Sequence, residues 1–203
     1  MTRTVVTIFA TWIGASSALS AQTYRVAPDQ SRIQVHVGAA GLFKMFGHEH
    51  NIEARRFTGA VDWNEESPET SKFTLEVEAA SLTVADEELS EKDRAQIQSD
   101  METKALALTD HAKISFQSTK VTAGKTEGGR RRLNVSGTLN LRGVQKSINV
   151  PVDLSVAGDR LTATGKLELA SGNWGVPQIS AAGGSVKTKE ELGIEFEIVA
   201  VRE

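Results

Sequence analysis

Apolar and polar residues alternate with a period of two along most of the chain beyond residue 20. Ile33, Val35 and Val37 alternate with Arg32, Gln34 and His36, and Phe57, Val61 and Trp63 share a parity opposed by Thr58 and Asp62. Phe73, Leu75 and Val77 stand against Lys72, Thr74, Glu76 and Glu78. The pattern recurs at Ile114/Phe116, Leu133/Val135/Leu139/Leu141, Ile148/Val150/Val152/Leu154/Val156, Leu161/Ala163/Leu167/Leu169 and Ile194/Phe196/Ile198/Ala200. Successive side chains of a strand point to opposite faces, so each segment predicts a strand with one face on apolar material and the other in water. Turn sequences lie between them: Glu66-Ser67-Pro68-Glu69, Thr126-Glu127-Gly128-Gly129 and Ala157-Gly158-Asp159. Connections this short join antiparallel neighbours, which predicts a meander rather than βαβ units.

One segment departs from this period. Ser90 to Leu108 carries Ile97, Met101, Ala105 and Leu108 at helical spacing, and Ser90-Glu91-Lys92-Asp93 has the form of a capping box. It predicts one helix lying across the sheet or closing one end. An all-β chain of about eight strands with one α-helix is a barrel or a sandwich, and a barrel of that size is either filled by side chains or holds one ligand. The inward parity is mostly Val, Leu, Ile and Ala, and aromatics make up only 5% of the chain. Few large rings are present to fill an interior, which favours a cavity.

Composition narrows the chemistry. The chain has 203 residues, enough for one domain with a continuous core, and no cysteine. Disulfides, thiolate nucleophiles, thiolate zinc sites and acylated cysteine anchors are therefore excluded. The net charge of -3, with both signs mixed, lacks the basic footprint of a nucleic-acid binder. Residues 1–20 read as a signal peptide: Arg3 precedes an uncharged stretch holding Val5, Val6, Ile8, Phe9, Trp12 and Ile13, which ends on Ala18-Leu19-Ser20. A spanning helix needs about 20 mainly apolar residues, more than this stretch offers. Cleavage near Ser20 would release residues 21–203 as one exported domain into a periplasm.

Candidate chemistry is concentrated in Gly47-His48-Glu49-His50, where a strand would put both imidazoles on one face. Such a pair binds zinc, copper or iron when further ligands converge, and Glu53, Asp62 or His111 are the candidates. The cupin metal motif is missed by one residue at each spacer, and one residue on a strand moves a side chain to the other face. His48 and His50 therefore read first as polar residues at a surface or pocket mouth. A metal-binding protein or cupin-like metalloenzyme using them is the alternative, and an accessory docking module is a third reading. No G-x-S-x-G elbow, H-E-x-x-H, P-loop or dinucleotide fingerprint occurs. Asp86, Glu87, Glu88 and Glu91 read as charges solvating a helix N-terminus. Arg130-Arg131-Arg132 reads as a solubilising turn with the option of peripheral contact with an anionic envelope membrane.

Several blocks are similar to the YceI-like family of exported lipid- or polyisoprenoid-binding proteins. They are the opening Tyr24-Arg25-Val26-Ala27-Pro28-Asp29-Gln30-Ser31, the segment Phe57-Thr58-Gly59-Ala60-Val61, and Ser81-Leu82-Thr83 with Lys92-Asp93-Arg94. More specific are the run Asp110 to Thr119, with Ile114-Ser115-Phe116-Gln117-Ser118, and the hairpin Gly137 to Lys146. The resemblance covers Tyr24 to about Val201, although Gln30 and His111-Ala112 depart from the family's usual residues. It implies an extended, lipocalin-like antiparallel barrel that encloses an isoprenoid or fatty-acyl lipid without catalysis, metal or other cofactor. It also allows a homodimer, which no feature of the sequence demands. On this reading Val35, Val37, Phe57, Phe73, Leu75, Phe116, Val152 and Leu154 are expected to line the interior, with His48, His50 and Trp174 near the opening.

Overall fold

The computed structural model describes residues 21–40, 49–181 and 186–203; the segment expected to be a signal peptide lies outside them. The alternating segments form β1 (Gln22–Val26), β2 (Arg32–Ala40), β3 (His50–Ala54), β4 (Phe57–Trp63), β5 (Lys72–Glu78), β6 (Leu82–Val84), β7 (Lys113–Glu127), β8 (Arg130–Leu141), β9 (Val144–Ala157), β10 (Arg160–Ala170), β11 (Ser180–Ala181) and β12 (Val186–Arg202). All pairings are antiparallel. Neighbours run β1-β4-β5-β7-β8-β9-β10-β12, and β12 returns to β1 through Tyr24↔Arg202 and Val26↔Ala200, closing an eight-stranded barrel. Closure leaves this ring without an edge strand.

The remaining strands extend the wall at one end. The turn Pro28–Gln30 separates β1 from β2, Arg55-Arg56 separate β3 from β4, and Ala79–Ser81 separate β5 from β6. Each interruption lets a strand change neighbours. Thus β1 pairs with β4, whereas β2 pairs with the earlier part of β12 and with β3, which in turn pairs with β6. The two-residue turns alternate between the ends: β7 turns into β8 through Gly128-Gly129 at the far end, and β8 into β9 through Arg142-Gly143 at the near end, where Arg142 donates to Lys104 O and Ala105 O. All four turn residues are at positive φ, as two-residue hairpins require.

The free edge of β6 is met by a side chain. The Gln98 amide accepts a hydrogen bond from Val84 N (3.0 Å) and donates one to Leu82 O (2.9 Å), the two contacts a neighbouring strand would make. Gln98 belongs to α1 (Glu91–Asp100), whose N-cap is Ser90, with Ser90 Oγ accepting from Asp93 N at 3.1 Å. The segment expected to be helical as far as Leu108 changes form earlier. It widens into a π turn over Met101–Ala105 and ends at Ala107, which has a left-handed φ of 50°. The wider turn brings Met101 and Leu106, five apart in sequence, both into the core.

One junction in the wall is incomplete. The β9–β10 ladder runs only from Ala157↔Arg160 to Asp153↔Thr164. It stops as the chain reaches Pro151, which has no N–H to donate. Gly165 lies against Pro151 there, and beyond this point residues 144–150 and 165–170 carry no ladder pairing with each other, each being held by its other neighbour, β8 or β12. The turn Ser171–Trp174 follows β10 and packs against β9, and the Trp174 indole N–H donates to Leu139 O on β8 (3.3 Å).

The interior is solid at one end and hollow at the other. Tyr24, Trp63, Val121, Leu133, Leu154 and Leu161 fill the solid end and are essentially inaccessible. Phe73, Phe116, Ile148, Leu167, Phe196 and Ile198 pack on this plug, but each is only partly buried. Their uncovered surface faces an internal space.

Candidate functional site

That space is a cavity of about 820 Å³. Its wall is built by the inward parity of the strands: Ile33, Val35 and Val37 from β2, Leu75 and Val77 from β5, Leu139 and Leu141 from β8, Ile148 and Val150 from β9, Leu167 and Leu169 from β10, and Ile194, Phe196 and Ile198 from β12. Branched aliphatic side chains at alternate positions make a surface with almost no directional groups. Phe73 and Phe116 stand in the same wall where the cavity meets the solid end. Two glycines admit the rings. A Cβ on Gly137 would lie 2.3 Å from Phe116 Cζ, and one on Gly165 would lie 2.5 Å from Phe196 Cζ. Each ring occupies the volume that its neighbouring strand leaves empty.

Polar groups gather elsewhere on the wall: His50 on β3, Asp93, Gln96 and Asp100 on α1, and Ser180, Lys187, Thr188 and Lys189 around β11 and the start of β12. Lys187 and Lys189 have no ion-pair partner among the described residues, whereas Asp100 is paired with Lys104 at 2.7 Å. This arrangement gives the cavity an apolar body and a polar margin, the usual division of a site that takes an apolar chain with a polar end.

Among the residues singled out from the sequence, Val35, Val37, Phe73, Leu75, Phe116, Val152, Trp174 and His50 lie on the cavity wall. Phe57 and Leu154 share the inward parity but are packed solidly, Phe57 with Ile33, Ile52 and Val77 and Leu154 with Leu133 and Leu161, and neither reaches the cavity. His48 lies outside the described residues. Trp174 is almost wholly buried, so the indole is a fixed part of the wall rather than an exposed ring at the opening.

Asp86 differs most from its expected place. Expected to solvate a helix end, it is instead 1% exposed. Its Oδ1 accepts from Asn51 N (2.8 Å) and Asn51 Nδ2 (3.3 Å), and its Oδ2 accepts from His50 Nδ1 (2.8 Å). Asn51 Oδ1 in turn accepts from His36 Nδ1 at 2.7 Å. The alternation of β3 explains the division of labour: His50 and Ile52 point inward, and Asn51 points away from the cavity. Sequence spacing cannot bring residues 50 and 86 together, and only the β3–β6 pairing does so.

The other candidate metal ligands do not converge. Glu53 accepts from Gln34 and pairs with Arg55, Asp62 accepts from Thr23, and His111 sits beside Gly143. Among the described residues, no group of three or more His, Asp or Glu side chains is placed to hold a metal ion. In the basic hairpin, Arg131 is paired with Glu65 (3.0 Å) and stacked on Trp63, and Arg132 is paired with Asp153 (3.2 Å). Two of its three charges are thus engaged within the barrel wall. No described helix is long and apolar enough to cross a membrane.

A second, smaller cleft lies on the outer side of the wall. It is bounded by Arg32, Arg132, Asp153, Lys166, Glu195 and Glu197, and it shares Val152 and Phe196 with the inner cavity. These two side chains separate inside from outside where β9 and β10 part.

A family model described as a YceI-like domain matches residues 24–200. Solved structures share the fold. A Burkholderia cenocepacia protein, BcnA, superposes with a TM-score of 0.67 at 17% identity, covering 87% of this chain and 99% of the other. A polyisoprenoid binding domain from Saccharophagus degradans, implicated in plant cell wall breakdown, gives 0.65 at 10% identity, covering 90% and 99%. The Campylobacter jejuni YCEI protein gives 0.53 at 12% identity, covering 75% and 84%. No curated protein matches the sequence.

Proposed function

The chain belongs to the YceI-like family, and from that premise we propose that it is a non-enzymatic, periplasmic binding or carrier protein that encloses the hydrocarbon chain of an isoprenoid or fatty-acyl lipid. The observation that carries this reading is the cavity itself. Inward-facing Val, Leu, Ile and Phe side chains are left partly uncovered around about 820 Å³ of space, where an ordinary core would have closed on itself. Each methylene moved from water into such a space contributes about 0.8 kcal/mol, with no requirement for directional contacts. The relative from Saccharophagus degradans, a polyisoprenoid binding domain, supplies the class of cargo. The expected signal peptide supplies the compartment.

The test begins with full-length protein expressed with its own N-terminus. Organic extraction followed by lipid mass spectrometry is expected to recover a long-chain lipid in near-stoichiometric amount, and sequencing of the purified protein is expected to begin near Ala21. Delipidated protein should bind matched alkyl and isoprenyl probes with affinity that rises with chain length. Ile194→Trp, on the cavity wall, should shorten the longest chain accepted. Two displaced methylenes at about 0.8 kcal/mol each correspond to a loss of more than tenfold in affinity. Empty extracts together with no binding of any chain probe would overturn the reading.

A further inference from the structure

His50, on the polar part of the cavity wall, is hydrogen-bonded to the buried Asp86. An ionised carboxylate can only accept hydrogen bonds, so Asp86 Oδ2, 2.8 Å from His50 Nδ1, requires the proton on Nδ1. Two further contacts orient the carboxylate: Asp86 Oδ1 accepts from Asn51 N and Nδ2, which anchors the group against rotation with Oδ2 toward the imidazole. The carboxylate is buried and the imidazole is partly open, with side chains 1% and 19% exposed. His50 also forms part of the cavity wall, and its second ring nitrogen, on the edge away from Asp86, has no hydrogen-bond partner among the described residues. With Nδ1 protonated, a neutral imidazole presents Nε2 as a bare acceptor.

We propose that Nε2 of His50, held in this tautomer by the buried Asp86 carboxylate, is the head-group site of the cavity and takes a ligand whose polar end is a hydroxyl donor. This rests on the reading of the cavity as a lipid site and specifies which end of the lipid meets which atom. A hydroxyl donates to Nε2 while its chain lies along the aliphatic wall. An ether or ester of the same chain offers only acceptors, and would leave two acceptors facing each other out of water. An anionic head group would find no donor on this edge and would instead be drawn to Lys187 and Lys189, elsewhere on the polar margin. Asp86 is a positioning residue, since it acts on the ligand only through the imidazole.

The experiment compares three probes of equal chain length on delipidated full chain at about pH 8: a long-chain primary alcohol, its methyl ether and the corresponding carboxylic acid. Wild-type protein is expected to bind the alcohol roughly five- to tenfold more tightly than the ether, the scale of one buried hydrogen bond. His50→Phe should lower alcohol affinity to that of the ether and leave the ether unchanged. Asp86→Asn can donate to Nδ1 and so move the proton to Nε2, which then serves alcohol and ether alike; the preference should vanish while both still bind. Long-range nitrogen–proton NMR of wild-type protein gives a readout independent of any variant's folding. The spectrum should show Nδ1 protonated and Nε2 bare.

Equal wild-type affinities for alcohol and ether would overturn the head-group assignment while leaving chain binding intact. So would a proton on Nε2, or a preference for the carboxylate that is lost in Lys187→Ala/Lys189→Ala. Failure of all three probes to bind would be a failure of the lipid reading itself.

Discussion

A methyl group on Gly165 would sit 2.4 Å from Pro151 O and 2.5 Å from Phe196 Cζ, with backbone on one side and a packed ring on the other. Neither can retreat cheaply, so Gly165→Ala should destabilise the barrel by about 1–3 kcal/mol, seen as a lower Tm in thermal denaturation. The phenyl ring must also move, which should change chain-length selectivity together with stability. On the outer face of the same strand, Lys166 Nζ lies 2.8 Å from Glu195 Oε2. The hydrogen bond from Lys166 holds the Glu195 carboxyl below its ordinary value, opposed by desolvation and aided by the charge of the lysine. A depressed carboxylate contributes its stability above the unfolded pKa and loses it as pH falls through the folded one. Lys166→Ala should therefore return the Glu195 titration toward its ordinary position, measured by NMR. The pair is exposed to solvent, so global stability near neutral pH should scarcely change.

At the scale of the element, α1 has no buried residue of its own, and it is joined to β6 largely by the Gln98 amide and to the core through Met101 and Leu106 in the turn that follows. Such an element opens at a cost well below that of global unfolding. Gln98→Ala removes two hydrogen bonds from a strand edge and should accelerate hydrogen exchange over residues 91–105. The Tm should change little, because the barrel ladders are untouched. The period of two carries most of this architecture, namely which residues face inward and the meander from β7 to β10, and the capping box at Ser90 marks the start of the helix. Parity tells which face a side chain takes but not how far along the barrel axis it lies. That is why Phe57 and Leu154, inward like Val35 and Val37, end in packed regions instead of the cavity wall. The π turn escaped the helical period because its spacing of five, between Met101 and Leu106, is foreign to an α-helix.

The whole molecule is a wall closed on itself, solid at one end and hollow at the other, and its two halves differ in how legible they were. The resemblance in blocks such as Ile114 to Ser118 and Gly137 to Lys146 implies the barrel, since those runs agree with the family's pattern at several fixed offsets. Asp86 was hidden for the opposite reason. It stands in an acidic run of ordinary appearance, and its role depends on β3 and β6 meeting across more than thirty residues of chain. A ligand that binds only the folded barrel stabilises it by mass action, so adding a bound chain probe should raise Tm with the logarithm of its concentration.

The short β9–β10 ladder bears on the stiffness of the whole. Around much of the circumference, widening the barrel would require breaking backbone ladders, but between residues 144–150 and 165–170 no ladder holds the strands, and the link there is the turn Ser171–Trp174 with its indole bond to Leu139 O. The wall therefore has a compliant joint here, in addition to the β6 edge that the Gln98 amide meets. Its girth is softer than its length, and the joint lies beside Phe196 and Val152, which line both the inner cavity and the outer cleft.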